Sequence, residues 1–230
     1  MDIPSFAVSR TNVPILSTKQ IEQIAIGILD DYNPNLLKKP QPLDVDRFLE
    51  QYLQVTIDYK FLTHCGLYLG MTVFFDSDKV PVYNPDRDRA EYISCKANTV
   101  IFDNCLLEES QEHRYAFTGA HEAAHVLLHS DYFNAQRARA LNDPPIIQCE
   151  ADEHRSGQLG RSDRDWLEWQ ADALGAAFLM PLPSVERAVA KAKNRSYSVN
   201  YAQEAIQAEF NVSYAAAGRR YAALSKNGYI

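Results

Sequence analysis

From Arg114 to His129 the chain reads RYAFTGAHEAAHVLLH, and the reading of this stretch decides the rest. Phe117, Ala120, Ala124, Val126, Leu127 and Leu128 leave little polar surface apart from the histidines and Glu122, so the pattern predicts a substantially buried helix over Gln111 to His129. Within it, HEAAH sets His121 and His125 four residues apart, which places both imidazoles on one helix face about one turn apart. Two nitrogens so placed can reach one ion. Zinc binds imidazole nitrogen at about 2.0–2.1 Å and needs a third protein ligand in a catalytic site. Glu122, beside the first histidine, can lean toward the open coordination position, where a carboxylate takes a proton from water as that water attacks a carbonyl carbon.

With six histidines in 230 residues, a chance match to H-E-x-x-H is on the order of one percent per chain, so the surroundings have to decide. The competing reading is a helix with two histidines satisfied by neighbours and a surface glutamate. Glu168 and Asp172 argue against it, because they lie one turn apart on a second predicted helix, from Asp163 to Leu179. Glu168 can complete a His-His-Glu ligand set. Asp172 can accept a hydrogen bond from the outer nitrogen of a ligand histidine, with His121 the first choice, and so fix its tautomer. An acidic pair of this spacing is ordinarily a solvated face, but Trp169, Ala171, Ala173, Leu174, Ala176, Ala177 and Phe178 make this helix largely apolar. Ser162 is placed to cap it, Asp163 and Asp165 sit in its first turn, and Met180, Pro181 and Pro183 end it.

Working outward, STKQIEQIAIGILDDY from Ser17 carries Ile21, Ile24, Ile28 and Leu29 at helical spacing behind a Ser17–Gln20 capping box. DVDRFLEQYL predicts a shorter helix capped by Asp44, with Val45, Phe48, Leu49 and Leu53 on one face. Between Gln54 and Asp103 the runs VTIDY, LYLGMTVFF, VPVY, YIS and NTVIFD are rich in β-branched and aromatic residues and broken by turn formers. They predict a small, mostly antiparallel sheet, with DSDK as a hairpin turn between VFF and VPVY. NTVIFD is either an ordinary core strand or an edge to which an extended peptide adds. Ser130 to Arg164 reads as a long irregular connection. Three short helices follow, around SVERAVAKAK, YAQEAIQAEF and SYAAAGRRYAALSK, the last two joined by a turn in the manner of a helix-turn-helix. The fold class is therefore α+β, with a catalytic domain over 1–183 and a small helical region over 184–230.

With HEAAHVLLH and EWQADALGAAFLMP both in view, the chain resembles the ImmA/IrrE family of metallopeptidases, in which a helix bearing H-E-x-x-H precedes a second helix ending in leucine-methionine-proline. NTVIFD, RYAFTGAHEAAHVLLH and the terminal EFNVSYAAAGRRYAAL resemble family segments as well. The resemblance implies a zincin-like catalytic domain, with His121, His125 and Glu168 as ligands of Zn2+ and Glu122 as catalytic base. It also implies a bacterial or phage-related cytoplasmic protein that cleaves a partner, often a helix-turn-helix transcriptional repressor. Gln170 stands where a second glutamate is common, Leu174 where phenylalanine is usual, and Gly175 lies inside the second helix. That glycine costs up to ~1 kcal/mol against alanine, which points to a close helix contact.

A formal net charge of -7 and a pI of about 5.4 repel phosphate backbones and anionic lipid, so nucleic acid is a poor partner for the chain as a whole. Arg219 and Arg220, with Lys191, Lys193, Arg195 and Lys226, make the last helices locally basic, but alanines dominate the helix that would read bases. No run approaches the ~20 apolar residues that cross a bilayer, and MDIPSFAVSRTNVP lacks the features of a secretion signal, which points to the cytoplasm. Cys65, Cys95, Cys105 and Cys149 have no C-x-x-C pair and read as reduced core thiols. His129, two turns beyond His121, reads as a helix end bonded to terminal carbonyls, with a fourth ligand or a transition-state donor as the lesser reading. Tyr115, Tyr132 and His154 are candidate oxyanion donors. Two rivals to a protein-cleaving enzyme remain: a non-catalytic regulator binding a partner or DNA through its C-terminal helices, and a hydrolase of small amides.

Overall fold

The computed structural model describes residues 6–138, 146–150, 162–193 and 199–230. Its first long element, α1 (Thr18–Tyr32), starts at the capping box, in which the Gln20 amide donates to Ser17 and the Gln20 side chain returns to the Ser17 N–H. A single turn, α2 (Asn35–Lys38), and the short α3 (Val45–Arg47) follow, the latter capped by Asp44 and running on as a π-helical turn over Phe48–Tyr52. Phe48 and Leu49 are buried there.

Strand β1 (Thr56–Lys60), β2 (Tyr68–Val73), β3 (Ser77–Asn84), β4 (Arg89–Cys95) and β5 (Thr99–Asp103) come next, and β6 (Ile146–Glu150) arrives later. The main sheet has the order β1-β5-β2-β6, with β1 parallel to β5 and the other pairs antiparallel, while β3 and β4 form a separate two-stranded ribbon. The sheet is thus mostly antiparallel, as the short gaps predict. The expected hairpin between VFF and VPVY does not form, because both sides of β2 are taken by β5 and β6 and no edge is left for β3. β5 lies between β1 and β2 with all five residues buried, so NTVIFD is a core strand and not a docking edge.

The period of two sorts these strands into faces. Val100 and Phe102 of β5 join the large core beneath the helices, while Ile101 faces the other way with Met71, Val73 and Val80. Gly70 and Thr72 pair with Phe102 and Val100 and share the helical face. The sheet is therefore a middle layer between helices and the β3–β4 ribbon.

Against that face lies α4 (Glu112–Leu128), buried without interruption from Thr118 to His125. The stretch read as an irregular connection contains α5 (Ser130–Ala138) and β6, between segments outside the described residues. Strand pairing with β2 gives β6 its structure, a partner that lies too far back in the sequence for local pattern to reveal. Next, α6 (Asp163–Leu179) starts at Ser162 through a second capping box with Asp165.

The helices α4 and α6 meet at Gly175. A Cβ there would sit 3.0 Å from both the Ala120 carbonyl carbon and the His121 nitrogen, main-chain atoms with no rotamer by which to yield. For Gly175→Ala, overpacking costs roughly 1–3 kcal/mol and the helix-propensity gain returns at most about 1 kcal/mol. The variant is expected to unfold at lower urea concentration than wild type, and equal or greater stability would refute this account of the contact.

The last helices, α7 (Leu182–Lys193), α8 (Val199–Phe210) and α9 (Tyr214–Lys226), contribute Val185, Val189, Ile206, Phe210, Ala217 and Leu224 to the same buried cluster that holds Ile24, Phe48 and Phe178. Arg220, counted in the sequence as part of a basic surface, points inward and is only 6% exposed. Cys65 is exposed and Cys95 and Cys105 are half-buried, so these three are not core thiols as the sequence suggested; the Cys149 side chain lies outside the description. No helix among the described residues is long and apolar enough to cross a membrane.

Candidate metal centre

On α4 the i,i+4 spacing turns His121 and His125 to the same side, toward α6, and their Nε2 atoms lie 2.9 Å apart. From α6, Oε2 of Glu168 comes within 3.4 Å of His121 Nε2 and 4.0 Å of His125 Nε2. All three residues are at most 2% exposed. Asp172, one turn further along α6, places Oδ1 2.8 Å from Nδ1 of His121. The structure thus brings together the residues that the sequence singled out: two imidazole nitrogens and one carboxylate oxygen, all within 4.8 Å of one another.

Glu122 is fully buried beside this cluster. Its Oε2 accepts a 2.5 Å hydrogen bond from the Thr72 hydroxyl on β2, while Oε1 is buried and accepts none among the described residues. Strand β2 can come this close only because residue 70 is glycine: a Cβ there would lie 2.5 Å from Glu122 Oε1 and 2.7 Å from Thr118 Cγ2. Burial is the main influence on the Glu122 carboxyl, pushing it up to about 7 against the opposing pull of the His121 charge and the Thr72 hydrogen bond. Neither Thr72 nor Gly70 was legible as part of a site, since LYLGMTVFF announces only a strand.

His129 is also fully buried, and its ring stands outside the His121, His125 and Glu168 triad and bonds side chains, not helix-end carbonyls. Its main-chain N–H donates to the His125 carbonyl at 3.0 Å, while its Nδ1 lies 2.7 Å from His125 Nδ1 and its Nε2 3.1 Å from Gln170 Oε1. Burial drives its pKa down to about 3, with the Gln170 hydrogen bond opposing, so the ring is neutral at physiological pH. Of the candidate oxyanion donors, Tyr115 is engaged by Asp46 at 2.5 Å and by Tyr59 at 2.9 Å, away from the histidines. Tyr132 packs near Val13, Leu167, Phe74 and Phe133, and His154 lies outside the described residues.

This donor set fits a divalent cation. Around a tetrahedral ion with bonds of about 2.0–2.1 Å, ligand atoms stand roughly 3.3 Å apart. The observed 2.9, 3.4 and 4.0 Å bracket that value. Two imidazoles and a carboxylate are also the donor types of catalytic zinc, and the buried Oε1 of Glu122 beside them has no hydrogen-bond partner among the described residues.

A family model described as the IrrE N-terminal-like domain, Peptidase_M78, matches residues 68–221. The chain belongs to this family. The Peptidase_M78 match runs from the start of β2 into α9 and so takes in Thr72, both helices of the candidate metal centre and Arg220. Membership places the chain in a peptidase family, and the His121, His125 and Glu168 triad is able to hold a metal. Among curated proteins, none matches the chain.

Proposed function

We propose that this protein is a zinc-dependent endopeptidase that acts in the cytoplasm on a protein substrate, a helix-turn-helix transcriptional repressor by the family resemblance. His121, His125 and Glu168 hold the metal, Glu122 is the general base, and residues 1–183 carry the chemistry while 184–230 form the appended helical region. The observation that carries the reading is the buried convergence of two Nε2 atoms and one carboxylate oxygen beside a glutamate oxygen that has no donor among the described residues.

When bound, zinc supplies Lewis-acid chemistry, polarising a carbonyl and lowering the pKa of water to about 7. The protein's own groups do the rest. Asp172 accepts from Nδ1–H of His121, which leaves the Nε2 lone pair directed inward. Thr72 pins Oε2 of Glu122, so that Oε1 is the oxygen that takes a proton from the attacking water and returns it to the leaving amine. The apolar packing around α4 and α6 keeps bulk water from Glu122 and Glu168 and strengthens their interactions.

The test is metal analysis followed by cleavage. The purified protein should bind one zinc per chain, and co-incubation with a helix-turn-helix repressor encoded nearby should yield discrete fragments. A chelator should stop the reaction and added zinc restore it. A protein that takes up no zinc at micromolar concentrations would end this reading, whereas zinc binding with turnover of small amides alone would remove only the protein substrate.

A further inference from the structure

Resting on the metal-site reading above, we propose that His129, Gln170 and the main-chain carbonyl of Pro14 form a one-way hydrogen-bond relay. It fixes the tautomer of His125, so that the Nε2 lone pair of that ring faces the metal.

The direction of every link follows from the far end. The Pro14 carbonyl can only accept, and Gln170 reaches it at 2.6 Å, so the amide nitrogen of Gln170 must be the atom at that end. Its Oε1 then faces His129 at 3.1 Å, and an amide oxygen can only accept, so His129 carries its proton on Nε2. His129 and His125 meet through their Nδ1 atoms at 2.7 Å, a contact in which one ring donates and the other accepts. If His129 donated there, it would be a buried cation and the His125 proton would sit on Nε2, turned toward the metal position. If His129 accepts, it is neutral, the His125 proton sits on Nδ1, and the Nε2 lone pair is directed at the metal position. Only the second arrangement suits a metal.

The anchor is itself held in place. A small N-terminal hairpin sets the Pro14 carbonyl through Ser9 N–H to Val13 O at 2.8 Å, Ile15 N–H to Ala7 O at 2.8 Å and a bridge between Val8 and Pro14. This hairpin lies outside residues 68–221, so a segment beyond the family match supports the metal centre. The two histidines are then oriented by different means: His121 by the half-exposed carboxylate of Asp172, and His125 by a buried chain of neutral groups. Glutamine at position 170 is required by this arrangement. A carboxylate has no hydrogen to offer Pro14, so glutamate there would set two acceptors 2.6 Å apart.

The experiment measures zinc Kd by competition with a chromophoric chelator, and the absorption spectrum of the cobalt-substituted protein, on the full chain. The variants are Gln170→Glu, Gln170→Leu, His129→Ala, the His129→Ala/Gln170→Leu double variant and His125→Ala. Loss of a group that orients a ligand weakens metal binding roughly 10–100-fold, so each relay variant should fall in that range with a shifted cobalt spectrum. The double variant should bind no more weakly than the worse of its two singles, because both break one chain. A merely structural role would lower the melting temperature of the metal-free protein and leave the zinc Kd unmoved. The relay is overturned if Gln170→Glu and Gln170→Leu keep wild-type Kd and spectrum while His125→Ala loses the metal. If the wild type binds no zinc, or His125→Ala binds as well as wild type, the metal-site reading falls first.

Discussion

Glu122→Gln is expected to retain zinc and to cut the cleavage rate by a factor on the order of 10²–10⁴, the contribution typical of a positioned general base. The change is isosteric, and the Thr72 hydroxyl can donate to the amide oxygen as it does to the carboxylate. What disappears is the proton acceptor at the second oxygen, which among the described residues has no competing donor. Single-turnover cleavage, with zinc content and circular dichroism as controls, separates lost chemistry from lost structure. A zinc-loaded variant that cleaves at the wild-type rate would show that another group does the work assigned to Glu122. Unchanged biological output from an inactive variant would favour the non-catalytic regulator.

The largest stability effect is expected at Arg220. Its guanidinium donates to both carboxylate oxygens of Glu22, at 2.5 and 2.9 Å, and to the Met180 carbonyl at 3.0 Å. The two side chains are 5% and 4% exposed, so the pair ties α9 to α1 and to the end of α6 in a region that water does not reach. Removing one member leaves an uncompensated buried charge, which costs about 3–5 kcal/mol. For a chain of this size that is roughly 6–20 °C in melting temperature. Arg220→Met should show this loss, whereas joining it with Glu22→Leu should recover much of it, since an apolar pair of similar volume often matches a buried ion pair. Denaturant unfolding of the metal-free single and double variants provides the check. A loss below about 1 kcal/mol in Arg220→Met would place the pair with solvent-screened surface bridges. Because Arg220 is committed inward, it is also withdrawn from any nucleic-acid contact by α9.

How much of this was legible in the sequence follows the distance between partners along the chain. The i,i+4 spacings of His121 with His125 and of Glu168 with Asp172 are local, and a helix has only one way to present them. The capping boxes at Ser17 and Ser162 are local too, and they fix where α1 and α6 begin. By contrast, Thr72 meets Glu122 across 50 positions, Gln170 meets Pro14 across 156, and Arg220 meets Glu22 across 198. His129 shows the boundary within one residue. Its place on the helix could be read from the periodicity, yet its assignment to helix-end carbonyls failed because its ring is claimed by the His125 ring one turn back and by Gln170 from α6, the second of which no local pattern announces. Strand pairing failed for the same reason: the DSDK gap suits a hairpin, but β2 had both edges engaged by strands elsewhere in the chain.

By itself, the sequence determined the α+β class, the two helices that carry the candidate ligands and the spacing that singles out His121, His125 and Glu168 as candidates, because helical periodicity and capping act over a few residues. Only the tertiary structure decided which oxygen of Glu122 is pinned, which ring orients His125, where Arg220 points and which strands pair. Those outcomes depend on burial and hydrogen bonding between segments far apart in the chain, where a polar group removed from water must take whatever partner the packing brings to it.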